Sequence, residues 1–166
     1  MARLLSCIRL PEVLALQGSP LVGASLSMEG FTAHGCFVLV ILASGSFCLV
    51  AHIFLLNDWA GIQGDLRAQH RATRAFTTRG VTRSEIGYLA VALLAVSLAL
   101  LGSLGPVPLC LALGIAGLSS LYSLPTFNMK GVPVAGTLLH LVGGILHFLL
   151  GYATFAAIDG VEGPRL

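Results

Sequence analysis

Uncharged runs long enough to cross a bilayer alternate with short polar breaks along this chain. A spanning helix needs roughly 20 mostly apolar residues, and five stretches approach or exceed that length. The pattern predicts spans at 10–28, 35–56, 86–105, 107–127 and 133–158, with a polar segment at 57–84 that is read as a loop. The first span is the weakest, because Gln17 and Pro20 interrupt it. Between the third and fourth, Gly105-Pro106-Val107-Pro108 divides what would otherwise be one overlong run, since proline removes a helix donor and glycine relaxes φ. Gly114, Gly117, Gly143 and Gly144 sit inside spans, as suits close helix packing in lipid.

Composition strengthens that reading. Of 166 residues, 56% are hydrophobic and 10% charged, whereas a soluble domain carries about 25% charged residues and needs them to meet water. Disorder is excluded by the same balance. The expected fold is an all-α integral membrane bundle of about five transmembrane helices, a single domain over 1–166 with the lipid bilayer as its surroundings. A net charge of +2 gives no reason to expect nucleic acid as a partner. Pro11 and Glu12 break the opening apolar run, so the first residues read as a short lead-in rather than a signal peptide.

The placement of charge orients the bundle. With the N-terminus in the cytoplasm, Arg3, Arg9, Arg67, Arg71, Arg74, Arg79, Arg83 and Lys130 all fall inside and Arg165 outside. This positive-inside bias agrees with an odd number of crossings in the cell membrane.

The polar segment opens with Asn57-Asp58 and continues to Asp65. If the helix before it continues, Asp58 and Asp65 are two turns apart on nearly one face, beside Asn57. Carboxylates with an amide oxygen suit Mg²⁺, a hard cation that shares its coordination with water and phosphate oxygens. Arg67, His70, Arg71, Arg74, Arg79 and Arg83 follow at once, and carboxylates beside an arginine cluster are what a metal-bound diphosphate requires. The plain alternative is a solvated juxtamembrane loop whose arginines set topology. His140 and His147, seven apart, share a helical face as bundle-interior polar residues or as a haem or metal pair. His52 sits within two turns of Asp58 and either approaches the same ligand or packs. Trp59 reads as an interfacial anchor. Cys7, Cys36, Cys48 and Cys110 have no metal-ligand spacing and read as packing residues.

Asn57-Asp58 followed by Asp65 resembles the first Asp-rich motif, NDxxDxxxD, of UbiA-type intramembrane prenyltransferases. Tyr122-Ser123-Leu124-Pro125 ahead of Lys130 is similar to that family's YSxP…K segment, and Arg9 with Pro11 fits its opening. The resemblance covers essentially the whole chain, with order and spacing preserved. It implies a helical bundle around a lipid-facing chamber, and transfer of a prenyl group from an isoprenyl diphosphate to an aromatic or other lipid-soluble acceptor with Mg²⁺. Carried over by position, Asn57, Asp58 and Asp65 would bind Mg²⁺-diphosphate, Arg71, Arg74 and Lys130 would neutralise phosphate charge, and Tyr122 would line the cavity. Gly61 stands where the motif has its middle aspartate, and Asp159-Gly160-Val161-Glu162 does not reproduce the family's second Asp-rich motif. The chain therefore reads as the N-terminal portion of such an enzyme, apparently truncated, with a C-terminal half as a possible partner. Its competitors are a non-catalytic polytopic protein that kept the bundle and, more remotely, a small transporter subunit, although the spans carry no central charged pathway.

The orientation is testable. A single cysteine at Gln69, in a cysteine-free background, is expected to react with impermeant reagent only from the cytoplasmic side; labelling from the opposite side reverses the topology.

Overall fold

The computed structural model describes residues 7–67, 80–127, 129 and 132–161, of which 62–67, 133 and 157–161 by backbone alone. Among the described residues there are six helices: α1 (Leu10–Leu16), α2 (Gly18–Ser27), α3 (Ala33–Arg67), α4 (Arg83–Ser103), α5 (Pro106–Ser123) and α6 (Pro133–Val161). Among the described residues, four helical stretches are long and apolar enough to cross a membrane, Ala33–Gly61, Arg83–Ser103, Pro106–Ser123 and Val134–Ala156. The 10–28 segment is instead two short helices. Pro20 has no N–H to return to Leu16, and Gly18 supplies a flexible step, so the chain restarts there.

The other boundaries have equally local causes. α3 does not stop at Leu56 but runs 35 residues to Arg67, so the polar segment read as a loop from 57 begins as helix. At 1.5 Å per residue it is about 52 Å long, against about 30 Å of bilayer hydrocarbon, so its polar turns can stand clear of the lipid. α4 begins three residues earlier than apolarity indicated, because Thr82 and Glu85 form a capping box that satisfies the first amides. Gly105, at φ 126°, makes the sharp reversal into α5, with Pro106 opening the new helix. α5 ends at Ser123 because Pro125 forces Leu124 into an extended conformation, ψ 132°.

Interhelical contacts fix the directions. Arg9, just before α1, meets Asp58 on α3, and Trp59 on α3 meets Arg83 at the start of α4. Near the end of α5, Tyr122 meets His140 in the first half of α6. Arg9, the polar turns of α3, the start of α4 and the end of α5 therefore share one end of the bundle, hereafter the motif end. α6 consequently runs parallel to α2.

The hydroxyls of Ser19, Ser97, Ser119, Ser120 and Thr154 return their protons to backbone carbonyls, which removes donors that lipid cannot satisfy. Ser97 Oγ donates across to the Gly45 carbonyl at 2.8 Å, tying α4 to α3, and Ser19 Oγ donates to the Gly144 carbonyl at 3.1 Å, tying α2 to α6. Leu42, Leu49, Leu101, Ile115 and Leu150 form the buried centre. The closest crossing is α2 on α6, where a Cβ at Gly23 would strike the Phe148 carbonyl and one at Gly151 the Pro20 carbonyl. Small residues alone allow such an approach.

Gly151→Val should therefore destabilise the bundle by about 2–4 kcal/mol, through overpacking against backbone that cannot yield. Gly117, with nothing within 4 Å of an added Cβ, should accept alanine with little change. Reversible unfolding in mixed micelles checks both, and equal tolerance at the two positions would contradict the tight crossing.

Candidate functional site

Helix α3 builds the polar end of the site by register. Ile53, Asn57, Gly61 and Asp65 recur every four residues, and Phe54 and Asp58 form the adjacent row, so one face passes from apolar to polar as it leaves the hydrocarbon. Ile53 and Phe54 line a cavity of about 200 Å³. Asn57 and Asp58 follow one turn above them, toward the motif end. The helix needs no cap there because α3 continues for two more turns.

Asp58 is held by an arginine 49 positions earlier in the chain. Arg9 Nη2 donates to Asp58 Oδ1 at 2.5 Å and Nε to Oδ2 at 3.3 Å, a two-point clasp that suits a planar guanidinium on a carboxylate. The Asp58 side chain is only 10% exposed, whereas Arg9 is 45% exposed. A carboxylate so withdrawn from water needs a partner. Arg9 also lies over the Phe54 ring, its Cζ 5.8 Å from the centroid. The cation thus bridges the carboxylate and an aromatic wall of the cavity.

The rest of the chamber comes from α1, α2, α5 and α6. Leu16 and Ser19 close one side; Ile115, Ser119 and Tyr122 of α5 form a second; His140, Gly143, Gly144 and His147 of α6 form a third. Tyr122 and His140 meet edge to face with centroids 4.8 Å apart, a contact worth about 0.5–1.5 kcal/mol beyond burial. His147 Nδ1 lies 2.9 Å from the Gly143 carbonyl. A carbonyl only accepts, so Nδ1 carries hydrogen and Nε2 of the neutral ring is a lone pair. That Nε2 is buried and has no partner among the described residues, at a cost of about 1–3 kcal/mol for an unsatisfied group.

Other expected residues lie elsewhere. His52 is buried on the opposite face of α3, its Nδ1 2.8 Å from the Ala90 carbonyl of α4, so it packs and does not approach Asp58. Trp59 also faces α4, and Arg83 stacks on it at 4.2 Å while Nε donates to the Trp59 carbonyl at 3.2 Å. Arg83 thereby leaves the phosphate-binding set that its place in the sequence suggested and acts as a clamp between helices. The Asp65 side chain, with Arg71, Arg74 and Lys130, lies outside the described residues. Among those described, no three His, Cys, Asp or Glu side chains converge as a metal cluster. The role of Arg9 as partner of Asp58 was not derivable from spacing, since no local pattern joins positions 9 and 58.

No curated protein and no solved structure matches the chain. The model of the UbiA prenyltransferase family matches residues 18–161, which takes in every helix from α2 to α6, the Asn57-Asp58 turn and the chamber walls on α3, α5 and α6. This all-helical, membrane-embedded chain belongs to the UbiA prenyltransferase family.

Proposed function

We propose that the chain binds an isoprenyl diphosphate, with the diphosphate at the motif end of α3 and the prenyl chain in the chamber below it, in the service of prenyl transfer to a lipid-soluble acceptor. The family carries a prenyltransferase-type function in general terms. The observation that supports the specific reading is the continuity of one α3 face, from Ile53 and Phe54 in the cavity wall to Asn57 and Asp58 one turn above. Such a face matches a ligand with an apolar tail and a doubly charged head.

The residues divide the work by chemistry. Asn57 and Asp58, with Asp65 two turns along the same helix, offer only oxygen donors, which suits Mg²⁺. When bound, that ion supplies Lewis-acid neutralisation of charge on the departing diphosphate. Arg71, Arg74 and Lys130 would donate to phosphate oxygens and favour the charge that grows as the C–O bond breaks. Arg9 would keep Asp58 ionised and oriented in its poorly hydrated place. Tyr122, Phe54 and Ile53 would wall the allylic group and keep water from the developing cation.

A second reading also has an observation behind it. Gly61 replaces the middle carboxylate of the motif, and Asp58 is already clasped by Arg9. A polytopic protein that retains the bundle without the chemistry would tolerate both.

Binding of farnesyl diphosphate to the purified chain in lipid nanodiscs separates the two. Weak binding, modestly improved by Mg²⁺, is expected. Asp58→Asn should reduce the Mg²⁺ dependence, and Arg71→Ala should weaken binding about tenfold with or without metal, the worth of one charge-assisted hydrogen bond. Binding indifferent to both substitutions would favour the non-catalytic reading.

A further inference from the structure

The chain on either side of Arg9 is pinned, while the Arg9 side chain is not. Cys7 is buried among Leu55, Val81, Ile86 and Ala90, with Ile8 packed beside them, and Val13 is buried against Val50 and Ala51. The backbone of Arg9 is therefore fixed beside α3, yet its side chain is 45% exposed. Rotamer changes alone can carry an exposed guanidinium from one partner to another, and they are fast.

At Asp58 this guanidinium stands where a metal ion would. Nη2 and Nε engage both carboxylate oxygens, and the 10% exposure of the Asp58 side chain leaves little room for a second cation beside the first. Lone pairs held by guanidinium N–H groups are the same ones that Mg²⁺ seeks at about 2.0–2.1 Å. A divalent ion arriving alone must also approach a positive charge in a poorly hydrated place, where salt screens little. The guanidinium lies beside the Phe54 ring, Cζ 5.8 Å from its centroid, and Phe54 lines the chamber. A swing about that ring releases Asp58 while the cation stays at the motif end.

We infer that Arg9 is a resident counter-ion of Asp58 that opposes a lone divalent cation, and that it yields its place when the metal arrives with a diphosphate, onto whose oxygens the guanidinium then moves. The second half of this inference rests on the function proposed above; the first does not. A guanidinium pairs with phosphate at two points as it does with carboxylate. The move therefore exchanges one charge-assisted pair for another, and no buried charge is left alone. Arg9 is thus a positioning residue that acts through Asp58. It makes the site selective for metal and diphosphate together over the bare ion.

The test titrates the full chain, in nanodiscs of zwitterionic lipid, with Mn²⁺ as a paramagnetic stand-in for Mg²⁺, read by loss of the free-ion resonance. Arg9→Gln should bind the ion about tenfold tighter than wild type, the worth of one charge-assisted hydrogen bond, and adding Asp58→Asn should remove that gain. Arg9→Lys keeps the charge but loses the two-point clasp, so its metal affinity should fall between the two, and it serves where Arg9→Gln fails to fold. Retention of labelled inorganic pyrophosphate, at matched free Mn²⁺, should run the other way and be about tenfold weaker in Arg9→Gln. In ¹⁵N-arginine spectra, the guanidinium Nε resonance that Arg9→Lys lacks should move with Mg²⁺ plus pyrophosphate and stay put with sodium chloride of equal ionic strength. Arg9→Lys at the wild-type metal affinity, or a gain that survives Asp58→Asn, would overturn the inference. The two ideas fail separately: a metal gain without pyrophosphate retention by the wild type sinks the proposed transfer function and leaves the counter-ion, whereas pyrophosphate retention without a metal gain sinks the counter-ion alone.

Discussion

Hydrocarbon offers no partner to a polar group, and this single denial organises the molecule. Backbone amides are consumed within helices, and hydroxyls such as Ser97, Ser119 and Thr154 fold back onto carbonyls. Charged side chains are driven to the ends of the spans. Once charge is confined in that way, the chemistry has one place to gather. Asp58 can stay at the motif end because Arg9 accompanies it, and the two together are cheaper to hold out of water than either alone.

The bundle also separates rigidity from space. Farther along α6 from the motif end, Gly23 and Gly151 bring α2 into backbone contact. Nearer the motif end α6 stands off from α3, and the space between them, floored by α5, is the chamber. The same helix is thus a tight joint and a cavity wall. Gly143 and Gly144 line the open stretch, and Gly151, two turns on from Gly144, serves the closed one.

Much of this was legible in the sequence, for reasons that can be named. The helical class follows from apolar run length, and the Gly105-Pro106 reversal from residues with few conformational alternatives. The expectation for Tyr122 came from the resemblance of its segment to a family motif rather than from any property of tyrosine. The misses share a cause. Apolarity could not see that α3 continues past Leu56 or that a capping box starts α4 at Arg83, because both ends are helical and polar. Nor could local spacing join Arg9 to Asp58, or divert Arg83 to the Trp59 ring, since each depends on which helix lies next to which. His52 and His147 each had a packing and a ligand reading in one dimension; three dimensions put the first against α4 and the second in the chamber.

The unbroken run of α3 from the buried leucines to the Asn57-Asp58 turn makes the helix a ruler. Each residue advances the chain about 1.5 Å and turns it about 100°, so the motif inherits its height and heading from every residue below it. Substitutions along Leu42 to Leu55 would trade packing energy while leaving that alignment intact. A one-residue insertion in the same stretch would swing Asn57 and Asp58 about a quarter turn away from Arg9 and the chamber, and no flexible loop intervenes to absorb the error. Lineages that diverge from this chain should accordingly vary freely in side chains along α3 yet preserve its residue count to the motif.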